Sequence, residues 1–168
     1  MGAKNTLQAG DSGGAGISRE LESLQRILVV DGEPDIRLLT TEVLIQSGYR
    51  VAAAADAAAA WDELNDDIYY DLVITENTMP KQTGIELLKK LRAARMILPV
   101  IMTSGTLPEQ KIAASPWLQP HATLVKPFAV EQLLRTVKNV LNQSDSSRKQ
   151  IAPPPDVRRL LSTGDLRS

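Results

Sequence analysis

Cysteine is absent from this 168-residue chain, which excludes disulfides, thiolate nucleophiles and thiolate metal sites. A lone histidine, His121, excludes a cluster of imidazole ligands. Aromatic residues are scarce as well. Two tryptophans, three tyrosines and one phenylalanine leave little from which to line a flavin pocket. No apolar run is long enough to span a membrane as a helix, so no membrane partner is expected. Charge of a single sign is missing too: the formal net charge of −1 supplies no general attraction to nucleic acid or anionic lipid. Neither of the glycine-rich phosphate-binding signatures occurs, since no Gly-Lys-Ser/Thr loop is present and the cluster Gly10–Gly16 precedes any strand.

The amino-terminal MGAKNTLQAGDSGGAG lacks the apolar centre of a signal peptide, so a cytoplasmic location is expected. Its match to the lipidation pattern M-G-x-x-x-T, through Gly2 and Thr6, is short enough to be accidental.

What remains is a chain long enough for one domain with a sizeable core. Residues 1–25 read as a flexible arm, with Ile17, Leu21 and Leu24 at helical spacing near its end. Residues 144–168 read as a disordered tail, marked by the run Pro153–Pro155. With five basic and three acidic residues from Gln143 onward, that tail suits a solvated extension better than a nucleic-acid arm.

Between these arms, residues 26–143 alternate regularly. RILVVD is a short apolar run without a period-two break, as a strand buried on both faces requires. Pro34 suits a first helical turn, and Ile36, Leu39, Val43 and Leu44 predict one apolar stripe ending at Gly48. YRVAAA, DLVITE, LPVIMTS and ATLVK supply four more strands. Helices are expected over DAAAAWDELND, over Thr83–Arg95 and over Ala129–Leu141. Prolines at 108, 116 and 120 leave room for only a short helix between residues 106 and 121. Strands separated by helices imply an α/β fold with a five-stranded parallel sheet covered on both faces.

In such sheets ligands bind beyond the carboxyl ends of the strands. Those ends carry Asp31, Glu76, Thr103 with Ser104, and Lys126 with Pro127. Each alone has an ordinary structural explanation: a helix cap, a loop acid, a turn former, a surface lysine. Four strand ends together point to chemistry. Carboxylates suit a hard cation, a hydroxyl bonds a phosphoryl oxygen, and lysine neutralises developing charge.

RILVVDGEPDIR, DLVITENTMPKQTG, LPVIMTSG and LVKPF, in this order and spacing, resemble the receiver domain of two-component response regulators, over about residues 26–143. The resemblance implies a flavodoxin-like, doubly wound (βα)5 fold with strand order 2-1-3-4-5. It also implies a non-enzymatic regulator of the stand-alone chemotaxis type, taking a phosphoryl group from a sensor histidine kinase onto an aspartate with Mg2+. Carried over by position, Asp31 is the first acid of the metal pair, and Gly32 stands where the second belongs. Glu33 faces away in a typical receiver. Glu76 occupies the phosphoacceptor position, and the backbone carbonyl of Thr78 completes the metal shell. Ser104 with Thr103, Thr123 in place of an aromatic, and Lys126 before a cis Pro127 form the phosphoryl-binding and switch set. The usual partner face corresponds to roughly residues 108–142.

Two departures fall on the chemistry itself. Loss of an acid at Gly32 weakens the expected Mg2+ site. Glutamate at 76 carries its carboxylate toward the phosphoryl position and is expected to reach Ser104 and Lys126 directly. The favoured expectation is a degenerate receiver that signals by protein–protein binding. A poorly phosphorylated, Mg2+-dependent receiver and an unrelated flavodoxin-like small-ligand binder are the alternatives.

Overall fold

A computed structural model describes residues 24–66, 68–106 and 116–150. The expected amino-terminal arm, except residues 24–25, lies outside them, as do residues 151–168 of the tail and most of the proline-rich 106–121 segment. Five parallel strands, β1 (Arg26–Val30), β2 (Arg50–Ala54), β3 (Leu72–Glu76), β4 (Val100–Ser104) and β5 (Ala122–Val125), pair in the order 2-1-3-4-5. Among the described residues, four helices cover the faces: α1 (Pro34–Gln46), α2 (Ala57–Asn65), α3 (Gly84–Ala93) and α4 (Val130–Gln150). A 3-10 turn, Pro116–Leu118, precedes β5.

The period-two geometry of the strands divides the core in two. Leu28, Val30, Val73, Val100 and Met102 pack against Ala57, Ala60 and Leu64 of α2 and Ile85, Leu88 and Leu91 of α3. Ile27, Val29, Leu72, Ile74, Ile101 and Leu124 point the other way, toward Leu44 of α1 and Leu133, Val137 and Leu141 of α4. Strands β1, β3 and β4 therefore need apolar residues at successive positions, whereas edge strand β2 manages with alanines.

Helix α1 departs from the predicted stripe. Thr40 and Leu44 are buried, but Leu39 is 54% exposed and lies in solvent with Leu38 and Ile45. The helix packs along the line through positions 40 and 44, and Leu39 stands about 100° round from Thr40. A second correction concerns the carboxyl-terminal boundary at 143, which falls inside α4: the helix continues to Gln150. Nothing in SDSSRKQ breaks a helix. Ser144 and Ser146 return their hydroxyls to the carbonyls of Val140 and Asn142, and Gln25 Nε2 donates to Asp145 Oδ2 at 3.3 Å.

Helices α1 and α3 end in the same Schellman geometry. After α1, Gly48 (φ 90°) donates to the Ile45 carbonyl and Tyr49 to that of Leu44. After α3, Arg95 (φ 57°) donates to the Arg92 carbonyl and Met96 to that of Leu91. An exposed arginine thus holds a left-handed conformation that suits glycine. Arg95→Gly is expected to raise stability by about 1 kcal/mol, seen as a higher urea midpoint at an unchanged m-value.

His121, ahead of β5, fastens that strand to β4: its N–H donates to the Val100 carbonyl at 2.7 Å, and its Nδ1 accepts from the Val100 N–H at 3.2 Å. Burial, aided by the nearby Arg92 charge, pushes the imidazole pKa below its usual value of 6.5. The unfolded chain therefore binds the proton more readily than the native one, and the stability tied to neutral His121 is present above pH 6.5 and lost as pH falls through the lowered native value. His121→Asn, which keeps an acceptor but no titration, is expected to flatten the fall in thermal midpoint between about pH 7 and pH 5 relative to the parent.

Candidate functional site

The parallel register gathers the chemical side chains at one edge. Val30 pairs with Thr75, Glu76 with Thr103, and Ser104 with Val125, so the residues that end the strands fall in a single layer. Asp31, Thr103, Ser104 and Glu76 are all buried there, Asp31 to 4% exposure and Glu76 to 6%. Lys126 enters from β5 ahead of a cis bond to Pro127, its N–H donating to the Ser104 carbonyl at 2.9 Å.

The lysine ammonium is the centre of the cluster. Its Nζ lies 2.9 Å from Asp31 Oδ2 and 3.0 Å from Glu76 Oε1, and 3.8 Å from Glu33 Oε1. Burial would lower the Lys126 pKa, but the hydrogen bonds to Asp31 and Glu76 outweigh it and hold the value above 10.5. Burial also pushes the Glu76 carboxyl above its ordinary 4.5, with the Asp31 charge adding to the rise and Lys126 opposing it. One cation therefore serves more negative charge than it neutralises.

Local backbone fixes this arrangement. Asp31 Oδ1 accepts the Glu33 N–H at 2.9 Å, an Asx turn that folds the chain back at the exit of β1. The Asp31 carbonyl accepts from Arg37 Nη1 at 2.6 Å, tying the same exit to α1. Glu33 occupies the N-cap of α1 without making a side-chain capping bond, so its carboxylate is free to face the lysine. The expectation that Glu33 points away is corrected. The legible signal was the spacing of Asp31 and Glu33, which suits an Asx turn.

Beyond β3, Asn77 donates to the Thr103 carbonyl at 2.8 Å and accepts from the Gly84 N–H at 3.0 Å. Gly84 is required for that approach, because a Cβ there would stand 2.4 Å from the Glu76 carbonyl oxygen. Both lie in the DLVITENTMPKQTG motif, but neither was singled out as a site residue. Thr78 is exposed in the loop that follows, and Thr123 is exposed within β5.

Ser104 does not join Glu76. Its Oγ donates to the Thr106 carbonyl at 2.6 Å and accepts the Thr106 N–H at 3.3 Å. The expected direct reach of Glu76 is therefore realised toward Lys126 and not toward Ser104. Closing a tight local turn satisfies the hydroxyl without a long-range partner.

Carboxylate oxygens of Asp31, Glu33 and Glu76 lie within 4.8 Å of one another. The donors are all hard oxygens, and a Cβ at Gly32 would stand 3.4 Å from Pro80 Cδ and 4.0 Å from Glu76 Oε2, so glycine leaves that side of the cluster open. This donor chemistry fits a divalent cation such as Mg2+. Among the described residues, no helix is long and apolar enough to cross a membrane.

The comparisons agree with this geometry. Residues 27–138 match the family model of the response regulator receiver domain. The transcriptional regulatory protein CpxR of Escherichia coli K12 is 33% identical over 127 residues, covering 76% of this chain and 53% of CpxR. The chain thus spans about half the length of that curated relative. The chemotaxis protein CheY of Bacillus subtilis is 28% identical over 70% of this chain and 98% of its own length. Among solved structures, a CheY-like receiver domain from Methanospirillum hungatei aligns with a TM-score of 0.69 at 28% identity, covering 74% of this chain and 99% of that one. The response regulator TrrA of Thermotoga maritima, solved in complex with Mg2+ and BeF, aligns with a TM-score of 0.62 at 30% identity over 70% and 99%. With its strand order, its acidic edge and its lysine all in place, the chain belongs to the response regulator receiver domains of two-component phosphorelays.

Proposed function

We propose that this receiver is a pseudo-receiver, a non-enzymatic module that works by binding a signalling protein with Glu76 in place of the phosphoacceptor aspartate. One observation carries this reading: Lys126 Nζ is already paired with Glu76 Oε1 at 3.0 Å, at the position where it would neutralise an incoming phosphoryl group. Glutamate adds one methylene, about 1.5 Å, to the reach of the side chain. In-line transfer loses on the order of a hundredfold from such a displacement. The carboxylate instead imitates part of a phosphorylated state. It supplies one negative charge against about two for phosphate, and it engages the lysine without recruiting the Ser104 hydroxyl. Thr103 and Thr123 complete the proposed switch set, with no aromatic at 123 to respond.

The partner is a sensor histidine kinase or another signalling protein, and its docking face is assigned to roughly residues 108–142. Within the described part of that span, Trp117, Val125 and Val130 expose apolar surface. Such surface suits a protein partner better than nucleic acid. The whole protein's output is left to whichever partner reads this face. A second reading, a weakly phosphorylatable Mg2+-dependent receiver, draws support from the acid cluster at Asp31, Glu33 and Glu76. The small-ligand alternative falls with the family assignment.

Two experiments separate these readings. Incubation with acetyl phosphate, or with beryllofluoride, in the presence of Mg2+ is expected to leave the intact mass and the 19F spectrum without an adduct. An adduct that disappears in Glu76→Ala overturns the proposal in favour of the second reading. The Gly32→Asp, Glu76→Asp double variant is expected to gain the adduct, since a Cβ at position 32 meets only ordinary contacts. Separately, Lys126→Met is expected to cost about 3 kcal/mol in urea unfolding, because two buried carboxylates lose their shared cation. Adding Glu76→Gln to it recovers part of that loss.

A further inference from the structure

We propose that residues 17–23 of this chain dock across the amino edge of the sheet, so that Ile17, Leu21 and Leu24 cover apolar surface at the entries of β3 and β4. This edge lies opposite the one that holds Glu76, so docking there is independent of the pseudo-receiver reading and goes beyond it. The segment also lies outside the residues that match the receiver family.

At the amino edge Tyr69 is 63% exposed and Ile97 91% exposed, and Leu24 and Ile68 are exposed as well. Tyr69 lines two openings there. One, of about 510 Å3, has Leu24, Tyr49, Asp71 and Asp145 in its walls. The other, of about 180 Å3, is mainly apolar and is formed with Leu64, Ile68, Met96 and Ile97. An apolar strip therefore runs from the entry of β1, past that of β3, to that of β4. Single exposed apolar residues are ordinary, but a strip with an apolar cavity beneath it marks contact surface.

The chain itself arrives at one end of this strip. Backbone bonds fix the arrival: the Arg26 N–H donates to Asp71 Oδ2 at 2.8 Å, and the Gln25 carbonyl accepts the Arg50 N–H at 3.0 Å. The chain bends at Leu24, which stands in the wall of the larger opening. Upstream, Ile17, Leu21 and Leu24 follow helical spacing, and Ser18, Arg19, Glu20, Glu22 and Ser23 between them are all polar. A helix rising about 1.5 Å per residue would set Leu21 about 4.5 Å and Ile17 about 10.5 Å from Leu24 along its axis. Neighbouring strands are about 4.8 Å apart, so the order 1-3-4 puts the entries of β3 and β4 about 4.8 Å and about 9.6 Å from that of β1. Leu21 thus falls over Tyr69, and Ile17 over Ile97. On the other side of β1, the exposed residues at the entry of β2 are Ser47, Gly48 and Arg50, which offer no apolar side chain.

Amide hydrogen exchange on the full chain tests this. Eight residues are too few to hold a helix in water by themselves, so protection in the segment reports docking. The amides of residues 21–24 are expected to exchange at least about tenfold more slowly than in an unstructured chain, at a rate independent of protein concentration. Leu21→Asp in the segment and Ile97→Asp on the surface are each expected to return them to the unstructured rate. Ile97 is exposed enough that its substitution leaves the core intact. Leu38→Asp, on the exposed side of α1, is expected to leave the exchange as in the parent. Unstructured rates in the parent, protection that survives Ile97→Asp, or release of the segment by Leu38→Asp overturns the proposal. Protection that is lost on dilution overturns it in favour of a second copy of the chain on the same surface.

Discussion

A single ammonium group shared between two buried carboxylates organises the functional edge of this molecule. Lys126 joins the end of β5 to the ends of β1 and β3, bridging Asp31 and Glu76 across the carboxyl edge of the sheet. Such a contact requires several things at once. The strands must keep the order 2-1-3-4-5, their registers must level the ends, and the Asx turn must hold Asp31 at the mouth. A buried ion pair of this kind gives little net stability against an apolar replacement, but losing one partner is costly. The interaction therefore serves specificity of arrangement at the site more than bulk stability, which comes from the two apolar layers on either side of the sheet.

The alternation of apolar runs and helical stripes was enough to predict five strands, their parallel sheet and the edge on which chemistry would sit. Strands β1, β3 and β4 were legible because burial on both faces leaves few alternatives to continuous apolar runs. The acidic edge was legible because strand ends are positions that a sequence pattern can locate. The packing line of α1 was not. Leu39 satisfies helical periodicity as well as Leu44 does, and only the neighbouring strands decide which of them is covered. The end of α4 was missed for a different reason. Polar residues 144–150 look like a tail in composition, yet none of them breaks a helix, and Ser144 and Ser146 bond back to carbonyls one turn earlier.

Within the site, residue identities were legible and side-chain directions were not. Ser104 was expected to meet Glu76, but a carbonyl two residues away offers its hydroxyl a nearer acceptor. Glu33 was expected to turn outward, but an N-cap residue without a capping bond can turn either way. Three carboxylates and one lysine leave inward as the direction with a charge partner. Both errors come from the same source. Sequence position fixes where a Cα lies in a known topology, whereas the rotamer depends on competing local partners that a pattern does not reveal.

The two departures from the usual receiver pattern, Gly32 and Glu76, are best understood as one change. A Cβ at residue 32 would stand 4.0 Å from Glu76 Oε2, so an acid there would add a carboxylate near that of Glu76. Carboxylates brought close together in a buried setting disfavour one another's charged form. Glycine at 32 therefore avoids adding another carboxylate beside that of Glu76. Residues in this kind of contact do not contribute additively. Three acids surround one ammonium, and Glu76 Oε1 is bonded to Lys126 Nζ at 3.0 Å.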